Sequence, residues 1–340
     1  MQNDSLAFGA KQAVENCVKV TADDRVVIIT DQQSKNIGVA LKVAASRITD
    51  HLKFFTMEDF GPRPSDGSTP LAFPDALRDI YASWATVSFY AASGKKGELK
   101  AFRHPMLEAV KAAKLRHAHM VGVTEEMMNQ GMAADYVEIK KVTHAVYDIA
   151  KSAKEIRVTT PAGSNLVATF DPKLKWVPCT GEVTSQKWTN LPDGETFTCP
   201  RSVDGYVVVD GVLGDFFSEK YGSLEKNPIS FELKNGWVVK DSLRCELKEL
   251  EQEFRSYLDT DENASRIGEF AIGTNIGLTK LIGNMLQDEK FPGIHMAVGN
   301  PYPLQTGADW SSDAHCDGVL CKTTIEIDGC VIMEKGKFCL

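Results

Sequence analysis

Long apolar runs are missing from this chain. Its most apolar stretches, such as Val26 to Ile29 and Tyr206 to Val209, fall far short of the roughly 18 residues that cross a bilayer, so no membrane span is expected. The beginning, MQNDSLAFGAKQAVENC, lacks a basic segment followed by an apolar one, so no secretory leader is expected. Basic charge is in deficit: 38 Lys and Arg stand against 46 Asp and Glu, a formal net charge of −8. Nucleic acids and anionic membrane surfaces both select for basic patches, so neither is expected as a partner. Cysteine is sparse, with eight residues and no Cys-x-x-Cys pair, which reads as reduced thiols in a cytoplasmic protein. Cys316, Cys321 and Cys330 could form a thiolate site, but their spacing is not that of a zinc finger or ribbon. Glycine fingerprints for nucleotides are absent too. No Gly-x-Gly-x-x-Gly follows a candidate strand, no Walker sequence occurs, and the turn Thr30-Asp-Gln-Gln-Ser34 contains no glycine.

What is present is ordinary globular material, 43% hydrophobic and 25% charged, in a length of 340 residues that suggests two domains. Up to about residue 150, helical and strand patterns alternate. Helices are expected near 5–20, 36–46, 75–82 and 105–114, and strands near 25–30, 51–56, 85–91 and 119–123. This predicts a parallel sheet covered on both faces, an α/β domain of Rossmann-like or flavodoxin-like type over residues 1–150. From 151 to 340 short alternating segments follow one another, with Lys234-Asn-Gly236, Pro192-Asp-Gly194 and Val203-Asp-Gly205 read as hairpin turns and a helix near 243–258 between them. A β-rich α+β domain is expected there.

Seven histidines are available as ligands or proton carriers. His117-x-His119 would project both rings to one side of a strand, but no carboxylate motif accompanies it, and a helix-to-strand junction is the better reading. His315-Cys-Asp317 is more informative, since an extended segment places the imidazole and the carboxylate on one face. Both suit Zn²⁺, Co²⁺, Mn²⁺ or Fe²⁺. His295 ends the segment Asp288-Glu-Lys-Phe-Pro-Gly-Ile-His295. Glu269 lies inside the apolar, glycine-punctuated run Gly268-Glu-Phe-Ala-Ile-Gly273, where a carboxylate is rarely buried unless paired or metal-bound. Glu195 sits on a turn leading into a strand, and Tyr302 in a Gly-Asn-Pro-Tyr-Pro turn seven residues after His295.

Four motifs in this order resemble the M29 family of metallo-aminopeptidases, the aminopeptidase T and aminopeptidase S group: Asn190-Leu-Pro-Asp-Gly-Glu-Thr-Phe-Thr-Cys-Pro200, Gly268-Glu-Phe-Ala-Ile-Gly-Thr-Asn275, Asp288-Glu-Lys…Gly-Ile-His295-Met-Ala-Val-Gly299, and His315-Cys-Asp317 followed by Ile327-Asp-Gly. The resemblance covers the second domain; the first is similar in architecture only. It implies two divalent metal ions, Zn or Co and alternatively Mn or Fe, held by Glu195, Glu269, His295, His315 and Asp317, with Glu269 as the bridging carboxylate. It implies Tyr302 as the tyrosine that contacts substrate or transition state, and a homodimer that removes N-terminal residues from peptides or small amides. Glu182, in Cys-Thr-Gly-Glu182-Val, is a candidate base or supporting carboxylate. The segment Gly307-Ala-Asp-Trp-Ser-Ser-Asp-Ala-His315 departs from the family's Asn-x-Ser-x-x-His, and the 20-residue step from His295 to His315 is short, which bears on peptide specificity more than on the metals. The same superfamily contains the ring-cleaving 2,5-dihydroxypyridine dioxygenase, similar in the His-x-Asp segment and near Glu182. Its non-heme iron site has a histidine where this chain has Glu269. A hydrolase, such a dioxygenase, and a metal-binding relative with altered or lost activity are therefore the three readings, the hydrolase foremost.

Overall fold

Val26–Thr30 (VVIIT) and Val87–Ala91 (VSFYA) are buried at every residue, as strands covered on both faces must be. They form the middle of a five-stranded parallel sheet in the spatial order Leu52–Thr56, Val26–Thr30, Val87–Ala91, Arg116–His119, Thr189–Asn190. The computed structural model describes residues 4–340, so the first three positions of the segment read as free of a leader lie outside it. Helices Lys35–Ser46, Asp75–Ser83 and His104–Ala113 fill the connections, close to the expected places. Two elements differ from expectation. The first helix is Asp4–Lys11, continued by a wider π-helical turn over Gln12–Cys17. The fourth strand is Arg116–His119 rather than 119–123. Its polar sequence hides a strand because the two histidines find partners inside the fold: His117 Nδ1 lies 2.7 Å from Ser88 Oγ, and His117 Nε2 lies 3.2 Å from His119 Nδ1.

The chain forms two compact units. The first runs to Val137 and takes back Gly181–Asp193; the second comprises Glu138–Thr180 and Gly194–Leu340. The returned segment carries strand Thr189–Asn190, which pairs with Arg116–His119. Pro192-Asp-Gly194 therefore joins strands of two different sheets and is not a hairpin turn.

The second unit contains two antiparallel sheets. One has eight strands in the order Trp237–Val238, Ile229–Lys234, Ser202–Val209, Asn165–Thr169, Glu155–Thr159, Thr324–Ile327, Cys330–Glu334, Lys337–Phe338. Asn235 and Gly236 have positive φ and make the expected hairpin turn. Val203-Asp-Gly205 does not turn; it lies within Ser202–Val209, where Gly205 (φ 129°) allows the neighbouring strand to approach so closely that a Cβ would stand 2.3 Å from Asn165 O. The helix expected over 243–258 is confined to Lys248–Tyr257 and sends Leu250 and Phe254 into the core. The other sheet has five strands in the order His315–Leu320, Gly293–Gly299, Ile267–Gly273, Glu195–Thr198, Val177–Cys179. One of its faces supplies Phe270, Ile272, Ile294, Met296, Val298, Cys316 and Leu320 to the unit's core.

Candidate metal centre

The opposite face of that five-stranded sheet carries the acids and imidazoles. Facing residues share a side in an antiparallel ladder, as do residues two apart on one strand. Glu269 faces Ala297, which faces Asp317; Ala271 faces His295; Gly299 faces His315; Gly273 faces Glu195. Glu195, Glu269, His295, His315 and Asp317 thus project from one surface of four adjacent strands, with the small residues Ala271, Ala297, Gly273 and Gly299 among the spacers between them. Small spacers leave room above the sheet for the donors to converge.

They do converge. His295 Nε2 lies 3.3 Å from Glu195 Oε2 and 3.7 Å from Glu269 Oε1. His315 Nε2 lies 3.5 Å from Glu269 Oε2 and 3.3 Å from Asp317 Oδ2. Two groups of donor atoms, Glu195–Glu269–His295 and Glu269–His315–Asp317, each fit within 4.8 Å, and Glu269 belongs to both. Burial alone would lower the pKa of each histidine, but the carboxylates outweigh it. Glu269 and Glu195 raise His295 to about 9, and Asp317 and Glu269 raise His315 to about 10. Asp317, despite burial, is held below the usual carboxylate range by His315.

The backbone of His315 is clamped by one hydroxyl: its N–H donates to Tyr257 Oη at 2.7 Å, and that hydroxyl donates to the His315 carbonyl at 2.9 Å. His315 Nδ1 meets the Asn300 carbonyl at 3.1 Å. A carbonyl can only accept, so Nδ1 carries a proton, and Nε2 is the ring nitrogen that faces the carboxylates. Tyr302 holds a left-handed backbone (φ 50°, ψ 63°), unusual for a bulky residue and typical of functional sites. Its ring leans on Phe197 and His315, and its hydroxyl stands 3.1 Å from His315 Nε2. Burial of that hydroxyl end, with Glu269 and Asp317 nearby, pushes the phenol well above its usual pKa, so it remains a donor.

Two members of the cluster were not singled out from sequence. Glu289 forms a third donor group with His295 and Asp317, and Lys290 Nζ lies 2.6 Å from Glu195 Oε1 and 2.7 Å from Glu289 Oε1. The available signal was three adjacent charges, Asp288-Glu-Lys290, directly before an apolar strand. Glu182 belongs to the first unit: Val183 N bonds Cys17 O, Gly181 N bonds Asp193, and Lys19 pairs with the Glu182 carboxylate. His117 and His119 are both buried on their strand, and burial pushes His117 down to about 3, so it is neutral. Cys316 packs into the core while Cys330 is exposed, and neither belongs to any donor cluster among the described residues.

The donor set suits a divalent cation. Oxygen and imidazole nitrogen predominate. His295 Nδ1 and Asp317 Oδ1 are buried without a hydrogen-bond partner among the described residues. Such atoms cost free energy unless something binds nearby. Fold and site together define a carboxylate-rich centre with metal-ligand chemistry on an antiparallel sheet. The chain belongs to the M29 family of thermophilic metalloproteases, whose model matches residues 109–337, and is a metallopeptidase, a hydrolase. No curated protein matches it. Two solved structures share its fold over nearly the whole length. Wild-type AmpT from Thermus thermophilus has 18% identity and a TM-score of 0.69, with 100% of each chain covered. The 2,5-dihydroxypyridine dioxygenase from Pseudomonas putida KT2440 has 16% identity and a TM-score of 0.69, covering 99% of this chain and 98% of that one.

Proposed function

We propose that the protein is an aminopeptidase with two divalent ions, Zn or Co in the first instance, held by Glu195, Glu269, His295, His315 and Asp317. One observation carries this reading: Glu269 presents Oε1 to His295 and Oε2 to His315, so its two oxygens serve two separate donor groups. When bound, the metal supplies a Lewis acid for the scissile carbonyl and lowers the pKa of water to near 7. The chain's own residues do the remainder. The Asn300 carbonyl and Tyr257 hold the His315 ring in one orientation, and the carboxylate of Glu269 offsets charge on both sides. The Tyr302 hydroxyl, kept protonated, donates to an oxyanion developing beside His315, the kind of contact that contributes on the order of 3 kcal/mol to a transition state. Removal of N-terminal residues, rather than internal cleavage, rests on the sequence resemblance to the aminopeptidase T and S group.

The dioxygenase shares the fold at an equal score, so fold does not separate the readings. The residue at 269 favours the hydrolase. An oxygen-activating iron site uses two imidazoles and one carboxylate around a single ion, whereas this face gathers Glu195, Glu269, Glu289 and Asp317. Metal analysis of protein purified without chelator, joined to an aminoacyl-amide assay, tests the reading. About two ions per chain and hydrolysis lost on chelation are expected. One iron per chain with oxygen consumption on a dihydroxypyridine would overturn it.

The strand order of the first sheet supports a flavodoxin-like first unit. Eight unbridged cysteines support a reducing cytoplasmic home. A two-fold homodimer, the commonest assembly, completes the proposal. Light scattering giving the mass of a single 37.4 kDa chain would remove that last part.

A further inference from the structure

Among the described residues, Glu195, Glu269, Glu289 and Asp317 crowd this buried face, and the Lys290 ammonium lies among them. The Lys290 side chain is 5% exposed. Its Nζ bonds Glu195 Oε1 at 2.6 Å and Glu289 Oε1 at 2.7 Å, while Glu195 Oε2 points to His295. The ammonium therefore occupies one oxygen of Glu195 and turns the other toward the donor group.

The placement of Lys290 is built into the backbone. Asn275 N bonds the Lys290 carbonyl at 3.0 Å, and Lys290 N bonds Gln287 O at 2.9 Å. The Asp288 carboxylate accepts the amides of Ile282 and Gly283, which fixes the turn from its other side. Gly273, which faces Glu195 across the ladder, leaves space for this turn; a Cβ there would stand 2.1 Å from Phe291 O and 2.9 Å from Lys290 O. Glycine opposite Glu195 is thus what lets the lysine lie against its carboxylate.

We propose that Lys290 is a fixed internal cation of the centre, a positioning residue that grips Glu195 by one oxygen and balances Glu195 and Glu289, leaving the second Glu195 oxygen set for a divalent metal. The proposal rests on the metal-centre reading above. Without Lys290, the pocket loses a positive charge beside Glu195 and Glu289. Mutual repulsion then weakens the metal-free protein, and a bound cation relieves it. At the same time Glu195 loses its fixed orientation.

The test compares wild type, Lys290→Met and Lys290→Arg by thermal melts with and without added zinc, and by aminoacyl-amide kinetics. The zinc-induced rise in Tm should be larger in Lys290→Met than in wild type, and kcat should fall about tenfold or more, the usual cost of removing a ligand's supporting partner. Lys290→Arg, which keeps the charge, should return the zinc response toward wild type and recover part of kcat. An equal loss of Tm with and without zinc would mark a packing role and overturn the proposal. A raised KM with an unchanged zinc response would mark a substrate contact and overturn it as well. A wild-type chain whose Tm does not respond to zinc, cobalt or manganese overturns the metal reading, and this inference with it.

Discussion

In the proposed two-metal centre, Glu269 is the residue that sets the number of ions. A carboxylate offers two oxygens and a negative charge; an imidazole offers one lone pair and no charge. Glu269→His should bind about one ion per chain and lose hydrolysis by orders of magnitude while the fold persists. Glu269→Gln keeps shape and loses charge, so metal content should drop as well. Near-native metal content and activity in Glu269→Gln, read by elemental analysis and assay, would remove the bridging role. Sequence reasoning reached this residue because a carboxylate inside an apolar, glycine-punctuated run is rarely buried unless paired or metal-bound, and the structure buries every position of that strand, Ile267–Gly273. It did not reach Lys290, because a lysine beside a glutamate usually signals a solvated turn. Only the fold reveals that the turn folds inward over Gly273.

At the scale of elements, the centre is a property of the strand ladder. Alternation sends the apolar residues of three strands to the core and the donors to the other face, so Cys316 enters the core although its neighbours His315 and Asp317 reach the centre. A bulge between Ile267 and Glu269 adjusts the register, and a Cβ on Gly268 would meet Gly299 O at 1.9 Å. The His-x-Asp pairing was legible because the strand period is two. The bulge and the pairing partners were not, since register depends on strands far away in the chain. Likewise, Gly205 has the composition of a turn but serves a close strand crossing. The spacers give a direct test. Ala297 is fully buried and faces both Glu269 and Asp317. Ala297→Leu inserts a side chain between the donors, which should cost about 1–3 kcal/mol by overpacking. It should also lower metal content per chain. Ala297→Gly should retain the metal. Full loading in the leucine variant would show that the space above Ala297 is not where the donors meet.

Over the whole molecule, the chain treats buried acid in two ways. In the second unit Glu195, Glu269, Glu289 and Asp317 lie with Lys290, His295 and His315, a donor set open to the proposed metal. In the first unit the acids are closed off by protein. Arg63, fully buried, bonds Asp31 at 2.7 Å, grips both oxygens of Glu98 at 2.6 and 2.7 Å, and reaches Glu58 at 3.2 Å. Asp31 also accepts the Ser34 and Ser93 amides at 2.8 and 2.9 Å. Burial works against the charged form of Asp31, yet Ser34, Ser93 and Arg63 hold its carboxyl far below the ordinary range. A carboxyl of about 3.9 in the unfolded chain and much lower in the folded one binds its proton more readily when unfolded. Its contribution to stability is therefore fully present above about pH 4–5 and is lost as pH falls toward the folded value. Asp31→Asn removes the charge and leaves Arg63 with its remaining partners, which should cost on the order of 3 kcal/mol at pH 7. Urea titrations of wild type and Asp31→Asn should show a constant difference from pH 7 down to about 5 that narrows progressively below about 4, because Arg63 stays ionised throughout and only the wild-type carboxyl titrates. A difference unchanged down to pH 3 would mean that the Asp31 charge is not what binds this cluster together.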